Sequence, residues 1–499
     1  MSFAVSAKLR LSTVQDVQCS YAIDNKISFI YHITDGGVSY ICAAFIWRYV
    51  MTDKREALIG GNMFSLMLKL SIPGIIGMLV ISLYSFVDGI FVGRYVGGAA
   101  LGAISIAYTF TLLNNGIAVL VGIGSASVLS RAVGREDKKT IDAVMGNVLI
   151  LTLIFSSAVM ILGYIFAPQL LKLIGAEGIM FDFGVRYLRI VYFGSIFVNF
   201  GQASNMVIRG EGRMGLAMLL MGISAVLNII LDAVFIIPLN MGIEGAAIAT
   251  VISQVVLAVL NFLYFTVFSK NVRLTSFRLE KSIVKGTLSV GVSAMFMQIF
   301  ALIQQAVIYS TLKRYGGEDQ VVLMGAFFRY IMLAFIPLWG ISQGFQPFAG
   351  TNFGAKRFDR VKKGTLLFYG FGFIFALLFW LGFLLFPERI LGLFIKDNPA
   401  LVASGITNAL SAMILFPLSA LMIINITLFQ AVGQAKYAGI FVMARQLILY
   451  VPAVLILPLF FGIRGVWVTG TVVDTFVTLA SMVVVLKLFK TELAENKEK

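Results

Sequence analysis

Two polar side chains, Asn228 and Asp232, interrupt the apolar run AVLNIILDAVFI at residues 225–236. Because they are four positions apart, they lie on one face of a helix, one turn apart, and can point at a single ligand. A carboxylate can hold a proton or, through its oxygen atoms, a hard cation. In a bilayer, an ionised Asp near the middle of a span costs roughly 2.5 to 3.5 kcal/mol on insertion scales. The pattern therefore indicates a site where a bound cation offsets the burial of charge.

Two more oxygen-bearing side chains are candidates for the same site. Asp88 lies in SLYSFVDGIFVG, and Thr250 lies in GAAIATVISQ. Two neighbouring carboxylates repel each other unless a cation or a shared proton lies between them. The alternative interpretation is an Asp–Asn hydrogen bond that only holds helices together.

Composition identifies the environment of these residues. The chain of 499 residues is 59% hydrophobic and 13% charged, with a mean hydropathy of +0.93, which is typical of polytopic membrane proteins. Within a bilayer the backbone must form its hydrogen bonds inside helices or a closed barrel, and apolar runs of about 20 residues favour helices. We predict an all-α polytopic membrane protein.

The apolar runs predict twelve transmembrane spans, numbered here in chain order. Their predicted bounds are 66–93, 101–130, 141–168, 183–209, 215–238, 242–268, 284–312, 321–349, 361–386, 402–430, 437–460 and 462–488. Spans one to six form a first lobe (66–268) and spans seven to twelve a second lobe (284–488), joined by a linker at 269–283. A lead at 51–65 precedes the lobes and a tail at 489–499 follows them.

Positive charges predict the orientation of the spans. The linkers after even-numbered spans hold 17 Lys and Arg residues, whereas those after odd-numbered spans hold at most nine. The positive-inside rule therefore places the even linkers and both termini in the cytoplasm, and we expect a multi-pass protein of the plasma (inner) membrane. The net charge of +15 is mostly this topology signal and gives no reason to expect a nucleic-acid partner. The partners we expect are the lipid bilayer and small-molecule substrates, with the chain acting as a monomer.

The first fifty residues differ from the rest. They contain both cysteines, Cys19 and Cys42, and the only histidine, His32, but no apolar run long enough for a span. They are either a cytoplasmic or membrane-surface appendage or sequence translated from a misassigned start upstream of Met51. We expect residues 1–50 to be dispensable for the membrane-spanning body.

The body repeats itself at a constant offset of 220 positions. The matching residues are Arg94, Tyr95 and Gly97 with Arg314, Tyr315 and Gly317; Gly134 with Gly354; and Gly242, Ile243 and Gly245 with Gly462, Ile463 and Gly465. A constant offset at three separate places predicts two halves of six spans each. Since six is even, both halves enter the membrane the same way, and we expect a substrate path between them near the midplane.

The second half lacks the polar set of the first. Adding 220 to the numbers of the four candidate residues gives Ile308, Ile448, Pro452 and Gly470. If the polar side chains were needed only to pack a six-helix bundle, the twin bundle would be expected to have them. The difference favours a specific site in the first lobe.

The body offers little for an enzyme. A Ser-His-Asp, Cys-His or H-E-x-x-H site needs histidine, and the only one is His32. The chain also has no G-x-x-x-x-G-K-[ST] phosphate loop, which argues against ATP as the energy source. We therefore predict no enzyme activity, no cofactor and no metal beyond Na⁺, with a Na⁺ or H⁺ gradient as the energy source.

Other polar side chains fall inside the predicted spans. Arg445 in span eleven and Asp474 in span twelve have opposite charges and predict a pair with a structural or gating role. Arg329 in span eight has no clear partner, so it either faces a cavity or packs between helices. Four amide side chains could line the path: Gln304, Gln305, Gln343 and Gln346.

Several segments together resemble the multidrug and toxic compound extrusion (MATE) transporters, in particular the bacterial and archaeal branch related to the staphylococcal multidrug exporters. The resemblance covers about residues 60 to 490 and rests on FVDGIFVGRYVG, SRAVGREDKK, LNIILDAVFI with GIEGAAIAT, GFQPFAGTNFGAKRFDRVKK and FGIRGVWVTGTVVD. It implies two six-helix lobes that form a V around a central cavity. It also implies a secondary active multidrug efflux antiporter that exports lipophilic, often cationic compounds in exchange for Na⁺ or H⁺.

The resemblance extends to the ion site. In one branch that site is formed by an Asp of span one, an Asn and an Asp of span five and a Thr of span six, which match Asp88, Asn228, Asp232 and Thr250. The other branch uses acidic residues of the second lobe, and spans seven and eight have no acid here. A flippase for a lipid-linked saccharide is the alternative function, and a gated channel is a further one.

Overall fold

The structure is a computed structural model that describes residues 8–11, 17–23, 27–32, 54–395 and 398–495. The chain forms two compact units, residues 1–52 and residues 53–499. Parts of the predicted segments 1–50 and 489–499, and Lys396 in the charge count, lie outside the described residues.

The first unit contains a three-stranded antiparallel sheet with the strand order β1-β2-β3. The strands are β1 (Lys8–Leu11), β2 (Val17–Ile23) and β3 (Ile27–His32). No strand was predicted for this segment. The all-α description therefore applies to the second unit, where every regular element in the described residues is a helix.

The helices of the first lobe follow the first six predicted spans. A short helix, Lys54–Gly60, comes before them. Spans one, two, three, five and six are the helices Met63–Phe91, Gly98–Arg135, Lys138–Leu173, Met214–Ile236 and Gly242–Leu263. Span four has two pieces, Gly178–Phe193 and Ser195–Gly210. Single π-helical turns extend spans one and six at Val92–Val96 and Tyr264–Phe268.

The second lobe begins with one long element, Lys281–Gly354, which contains spans seven and eight. Span nine is Phe358–Leu385, and the helix Pro387–Gly392 follows it. Span ten consists of Pro399–Met413, a 3₁₀ turn at Phe416–Leu418 and Ser419–Val432. Span eleven consists of Ala435–Met443, a π-helical turn at Ala444–Ile448 and Tyr450–Phe461, and span twelve is Ile463–Glu495.

Helix length and composition account for twelve spans. Ten helices in the described residues are long and apolar enough to cross a membrane. One of them, Lys281–Gly354, is 74 residues long and supplies two spans, because it breaks at Gly317, where φ is 70°. Span four adds another, since its two pieces of 16 residues each meet at Gly194. The prediction of twelve spans is therefore confirmed.

Glycines let the two lobes approach closely at one end. A Cβ atom on Gly124 would lie 2.0 Å from the carbonyl oxygen of Thr287, and one on Gly291 would lie 1.8 Å from that of Leu120. Backbones in a membrane can come this near only where small residues lack bulk. The hydroxyl groups of Ser125 and Thr287, 3.2 Å apart, share a hydrogen bond across the same contact. We call this end of the molecule, which also contains Gly134 and Gly354, the closed end.

The short helix Lys54–Gly60 bridges both lobes at the closed end. Arg55 donates to the carbonyl oxygens of Val133 (3.0 Å) and Gly134 (3.3 Å), both in the first lobe. On the other side, Asn352 and Arg360 of the second lobe donate to the carbonyl oxygen of Leu58 at 3.1 and 3.4 Å. These second-lobe side chains satisfy carbonyl groups that a helix leaves unpaired at its C-terminal end.

Candidate cation site and polar clusters of the lobes

Span five buries the two polar residues that interrupt its apolar sequence. Asn228 is 1% exposed and Asp232 is 0% exposed. Among the described residues, both carboxylate oxygens of Asp232 and both polar atoms of the Asn228 amide lack a hydrogen-bond partner. Buried polar atoms are almost always paired, so four unpaired atoms within one helical turn indicate a ligand site.

Span one brings a second carboxylate to this site. The carboxyl groups of Asp88 and Asp232 lie close enough to interact, but as two acceptors they form a hydrogen bond only if one of them holds a proton. The Oδ1 atom of Asp88 is also buried without a partner in the described part of the chain. Two carboxylates in contact need a proton or a cation between them, because two like charges in a low-dielectric site repel strongly. The arrangement can therefore bind one small cation or share a proton.

The phenol groups of Tyr84 and Tyr187 lie near enough to both carboxylates to interact with them electrostatically. Tyr84 belongs to span one and Tyr187 to span four, so the site is enclosed by at least three spans. Neither tyrosine was singled out from the sequence, where tyrosines are common and carry no distinctive spacing.

Thr250 is held near span five through the backbone. Ser224 of span five donates to the carbonyl oxygen of Ser253 at 2.7 Å, and the Ser253 hydroxyl donates to that of Thr250 at 2.8 Å. No hydrogen bond joins the Thr250 side chain to Asp88, Asn228 or Asp232 in the described residues. The structure thus brings the two carboxylates together, with Asn228 one turn from Asp232, and in the part of the chain that it describes shows no hydrogen bond from the Thr250 hydroxyl to any of the three.

Spans eleven and twelve of the second lobe are joined by an ion pair. Arg445 of span eleven donates to Asp474 of span twelve through two parallel hydrogen bonds of 2.8 and 3.1 Å. This two-pronged geometry is the strong form of an Arg–carboxylate contact. Each oxygen of the Asp474 carboxylate thus accepts one hydrogen bond from Arg445.

The other predicted polar residues divide between two places. Arg329 and Gln305 line one cavity of about 620 Å³ in the second lobe. Gln346 lies elsewhere: it is 9% exposed and donates to the carbonyl oxygen of Ile123 in the contact between the lobes. Gln343 also joins the lobes, by accepting a hydrogen bond from Arg209.

Three charged residues at the closed end, Arg209, Glu211 and Arg213, are buried, which was not predicted. Arg209 was counted as a linker cation, but only 6% of it is exposed. Glu211 accepts hydrogen bonds from Tyr264 (2.5 Å) and Ser269 (3.5 Å) and lies 3.7 Å from Arg213. Burial raises the pKa of Glu211 to about 7, although Arg213 and the two hydroxyl groups act in the opposite direction. The alternating charges of RGEGR are the only local signal of this cluster.

The sequence profile of the MatE family matches the chain twice, at residues 73–234 and 293–455. The chain belongs to the MatE family. The two matches begin 220 positions apart, which is the offset of the internal repeat, so the prediction of two homologous halves is confirmed. MatE membership also confirms the resemblance to MATE transporters and the fold of two six-helix lobes.

Curated relatives and a solved structure agree with this MatE assignment. The chain is 25% identical over 434 residues to the multidrug export protein MepA of Staphylococcus aureus (strain N315), which covers 85% of this chain and 94% of MepA. It is 26% identical over 353 residues to a FAD transporter of Shewanella oneidensis, and the match covers 70% of this chain and 78% of that transporter. The chain also superposes on a solved outward-facing conformation of a multidrug resistance MATE family transporter of the MOP superfamily. The TM-score is 0.83 at 25% identity, and the match covers 89% of this chain and 99% of that one.

Proposed function

We propose that this MATE transporter is a secondary active multidrug efflux antiporter, which exports lipophilic, often cationic compounds in exchange for Na⁺ or H⁺. The pair of Asp88 and Asp232, with unpaired buried oxygen atoms on both, carries this proposal. Such a pair changes its net charge when a cation binds. The multidrug export function named for the Staphylococcus aureus relative supports the substrate class.

Cation binding can favour one arrangement of the lobes over another. A ligand shifts a conformational equilibrium only by its differential affinity for the two states. With a cation bound, the carboxylates of spans one and five attract a common partner; without it, they repel each other. Span one also packs against the second lobe, since a Cβ atom on Gly74 would lie 2.5 Å from the carbonyl oxygen of Gly340. Occupancy of the site is thus linked to the contact between the lobes.

We further propose that the closed end faces the cytoplasm of the cell and that both termini lie there. The basic linkers after the even-numbered spans support this orientation through the positive-inside rule. Single cysteines at Lys270 and at Asn398, both exposed, test it in a chain whose Cys19 and Cys42 are replaced by Ser. The cysteine at 270 should react only from the cytoplasmic side and the one at 398 only from outside. The reverse pattern would refute the proposed topology.

The decisive experiment is drug flux in proteoliposomes. Purified full-length protein is reconstituted with ethidium at equal concentrations on both sides of the membrane, and a Na⁺ gradient and a pH gradient are imposed in separate runs. We expect saturable ethidium movement against its own concentration gradient in at least one run, and none with liposomes lacking protein. Flux that only ever runs down the ethidium gradient would indicate a channel, and lipid-linked saccharide movement without ethidium transport would indicate a flippase.

A further inference from the structure

A cavity of about 620 Å³ lies between spans seven and eight of the second lobe, beside Phe394 and Ile395. Its volume is within the range of about 300 to 1,000 Å³ that is usual for small-molecule sites. Among the residues that the structure describes, Arg329 is the only charged one in its lining. Gln305 and Tyr309 add uncharged polar groups, and the remaining wall is largely apolar or aromatic.

Arg329 lies deep within the membrane-spanning part of its helix. It is twelve residues beyond the break at Gly317, which corresponds to about 18 Å of helix, whereas the hydrocarbon layer is about 30 Å thick. Its side chain is exposed to the cavity and lies over the ring of Phe394, with 5.9 Å to the ring centre. A cation at this depth is costly unless it faces water or a charged partner.

Arg445, in the same lobe, is an intramembrane arginine that has a structural partner. Arg445 is neutralised by two hydrogen bonds to Asp474. By contrast, no acidic side chain within residues 54–395 and 398–495 forms an ion pair with Arg329. As far as the described residues go, the five N–H donors of the Arg329 guanidinium group are therefore available for a ligand that enters the cavity.

Two aromatic rings of the cavity wall pack against each other. Tyr309 and Phe328 pack edge to face, with ring centres 6.0 Å apart and an interplanar angle of 90°. This is one of the preferred geometries for aromatic pairs and limits the movement of both rings. A flat, apolar molecule can therefore lie against a formed surface, close to the single cation.

We propose that this cavity binds amphipathic organic anions, with a carboxylate, sulfonate or phosphate group on Arg329 and an apolar aromatic body against Phe328 and Phe394. Gln305 and Tyr309 supply additional donors for the anionic group. The site widens the proposed substrate range from cations to anions, and its role as a transport pocket rests on the proposed export function. A soluble anion and the head group of an anionic lipid share this chemistry.

Binding of anthracene-9-carboxylate to full-length protein tests the site. The protein is placed in nanodiscs of phosphatidylcholine, anthracene-9-methanol serves as the neutral analogue, and empty nanodiscs give the background. We expect the acid to bind more tightly than the alcohol. Arg329→Gln should weaken binding of the acid by about tenfold or more and leave the alcohol unchanged, while Arg329→Lys should retain part of the preference.

Arg314 provides the matched control. It lies over the ring of Tyr315 at the same distance of 5.9 Å but does not line the cavity. Arg314→Gln should therefore bind the acid as the unchanged protein does. Equal affinity of the acid for unchanged protein and Arg329→Gln, or equal affinity of acid and alcohol, would overturn the inference. Unchanged binding of the alcohol by Arg329→Gln verifies that the variant is folded.

Adding phosphatidylglycerol to the nanodiscs distinguishes the two sources of the anion. If an anionic lipid occupies the cavity, the acid should bind more weakly as phosphatidylglycerol is added; if a soluble anion is the natural occupant, its affinity should not change.

Ethidium flux separates this inference from the proposed function. Acid binding without any gradient-driven ethidium flux would refute the export proposal alone, and ethidium flux without acid binding would refute the anion pocket alone.

Discussion

Gly134 and Gly354, 220 positions apart in the chain, make the same contact from opposite lobes. A Cβ atom on Gly134 would lie 2.1 Å from the carbonyl oxygen of Thr351, and one on Gly354 would lie 2.2 Å from that of Arg131. Arg131 and Thr351 are also 220 positions apart, so the two contacts are related by the symmetry of the repeat. The internal repeat thus creates a symmetric seam that holds the lobes together at the closed end.

Alanine at either glycine should loosen this seam. Each added methyl group meets backbone atoms that cannot rotate away, and such overpacking costs about 1 to 3 kcal/mol. We expect Gly134→Ala and Gly354→Ala to increase the labelling rate of a single cysteine placed at the buried Ser125. Gly222→Ala and Gly370→Ala are the controls, because a Cβ atom there meets nothing within 4 Å. Equal labelling rates in all four variants would contradict the prediction.

The helix Lys54–Gly60 should act as a latch on the same seam. Arg360 donates to the carbonyl oxygens of Gly61 (2.8 Å) and Leu58 (3.4 Å), so opening the closed end must break these bonds or those of Arg55. We expect Arg360→Ala to raise labelling at Ser125, measured in the same assay. Lys363→Ala removes an exposed positive charge from the same segment and should leave the rate unchanged. If both variants raised labelling equally, charge rather than the latch would be responsible.

Asp232→Asn should abolish coupling while preserving the fold. The substitution keeps nearly the same shape but removes the group that exchanges a proton or binds Na⁺, so the contact with Asp88 no longer needs a cation. We expect normal expression and no gradient-driven ethidium flux in proteoliposomes. Ile448→Ala changes the second-lobe position that corresponds to Asn228, one helical turn before the counterpart of Asp232, and this variant should keep its response to Na⁺ and pH. Uphill export by Asp232→Asn with an unchanged ion response would show that Asp232 only packs helices.

Substituting only one of Arg445 and Asp474 should destabilise the protein more than substituting both. Removing one partner leaves a lone charge among helices, whereas removing both does not. In thermal unfolding of Arg445→Gln, Asp474→Asn and the double variant, we expect a coupling energy of about 1 to 3 kcal/mol. Strictly additive losses would mean that the two hydrogen bonds contribute nothing to stability.

Glu211 should make stability fall as pH rises. Its pKa is raised from 4.5 to about 7 in the folded protein, so folding favours the neutral acid. The stabilisation is complete below about pH 4.5 and is lost as pH rises through about 7. We expect the melting temperature of the protein in detergent to fall over this interval, and to fall less in Glu211→Gln. Asp142→Asn, at an exposed acid, should keep the slope of the unchanged protein.

Much of this molecule could be predicted from local sequence, for physical reasons. A bilayer forces the backbone into helices, so the lengths of apolar runs fix the number of spans. Burial of charge is so costly there that Asp88 and Asp232 stand out in apolar surroundings without any knowledge of the fold. The offset of 220 is a property of the chain alone, and it identified the two halves before any contact between them was known.

Tertiary packing decided which distant residues meet. Arg329 and Arg445 look alike in sequence, yet only packing of span twelve against span eleven pairs Arg445 with an acid, which leaves Arg329 to face a cavity. Arg209 and Glu211 have the sequence features of an exposed linker, and only the approach of neighbouring segments buries them. Such contacts join residues far apart in the chain, and no periodicity within a span encodes them. They depend on how closely small residues let whole helices pack, which is a property of the assembled lobes.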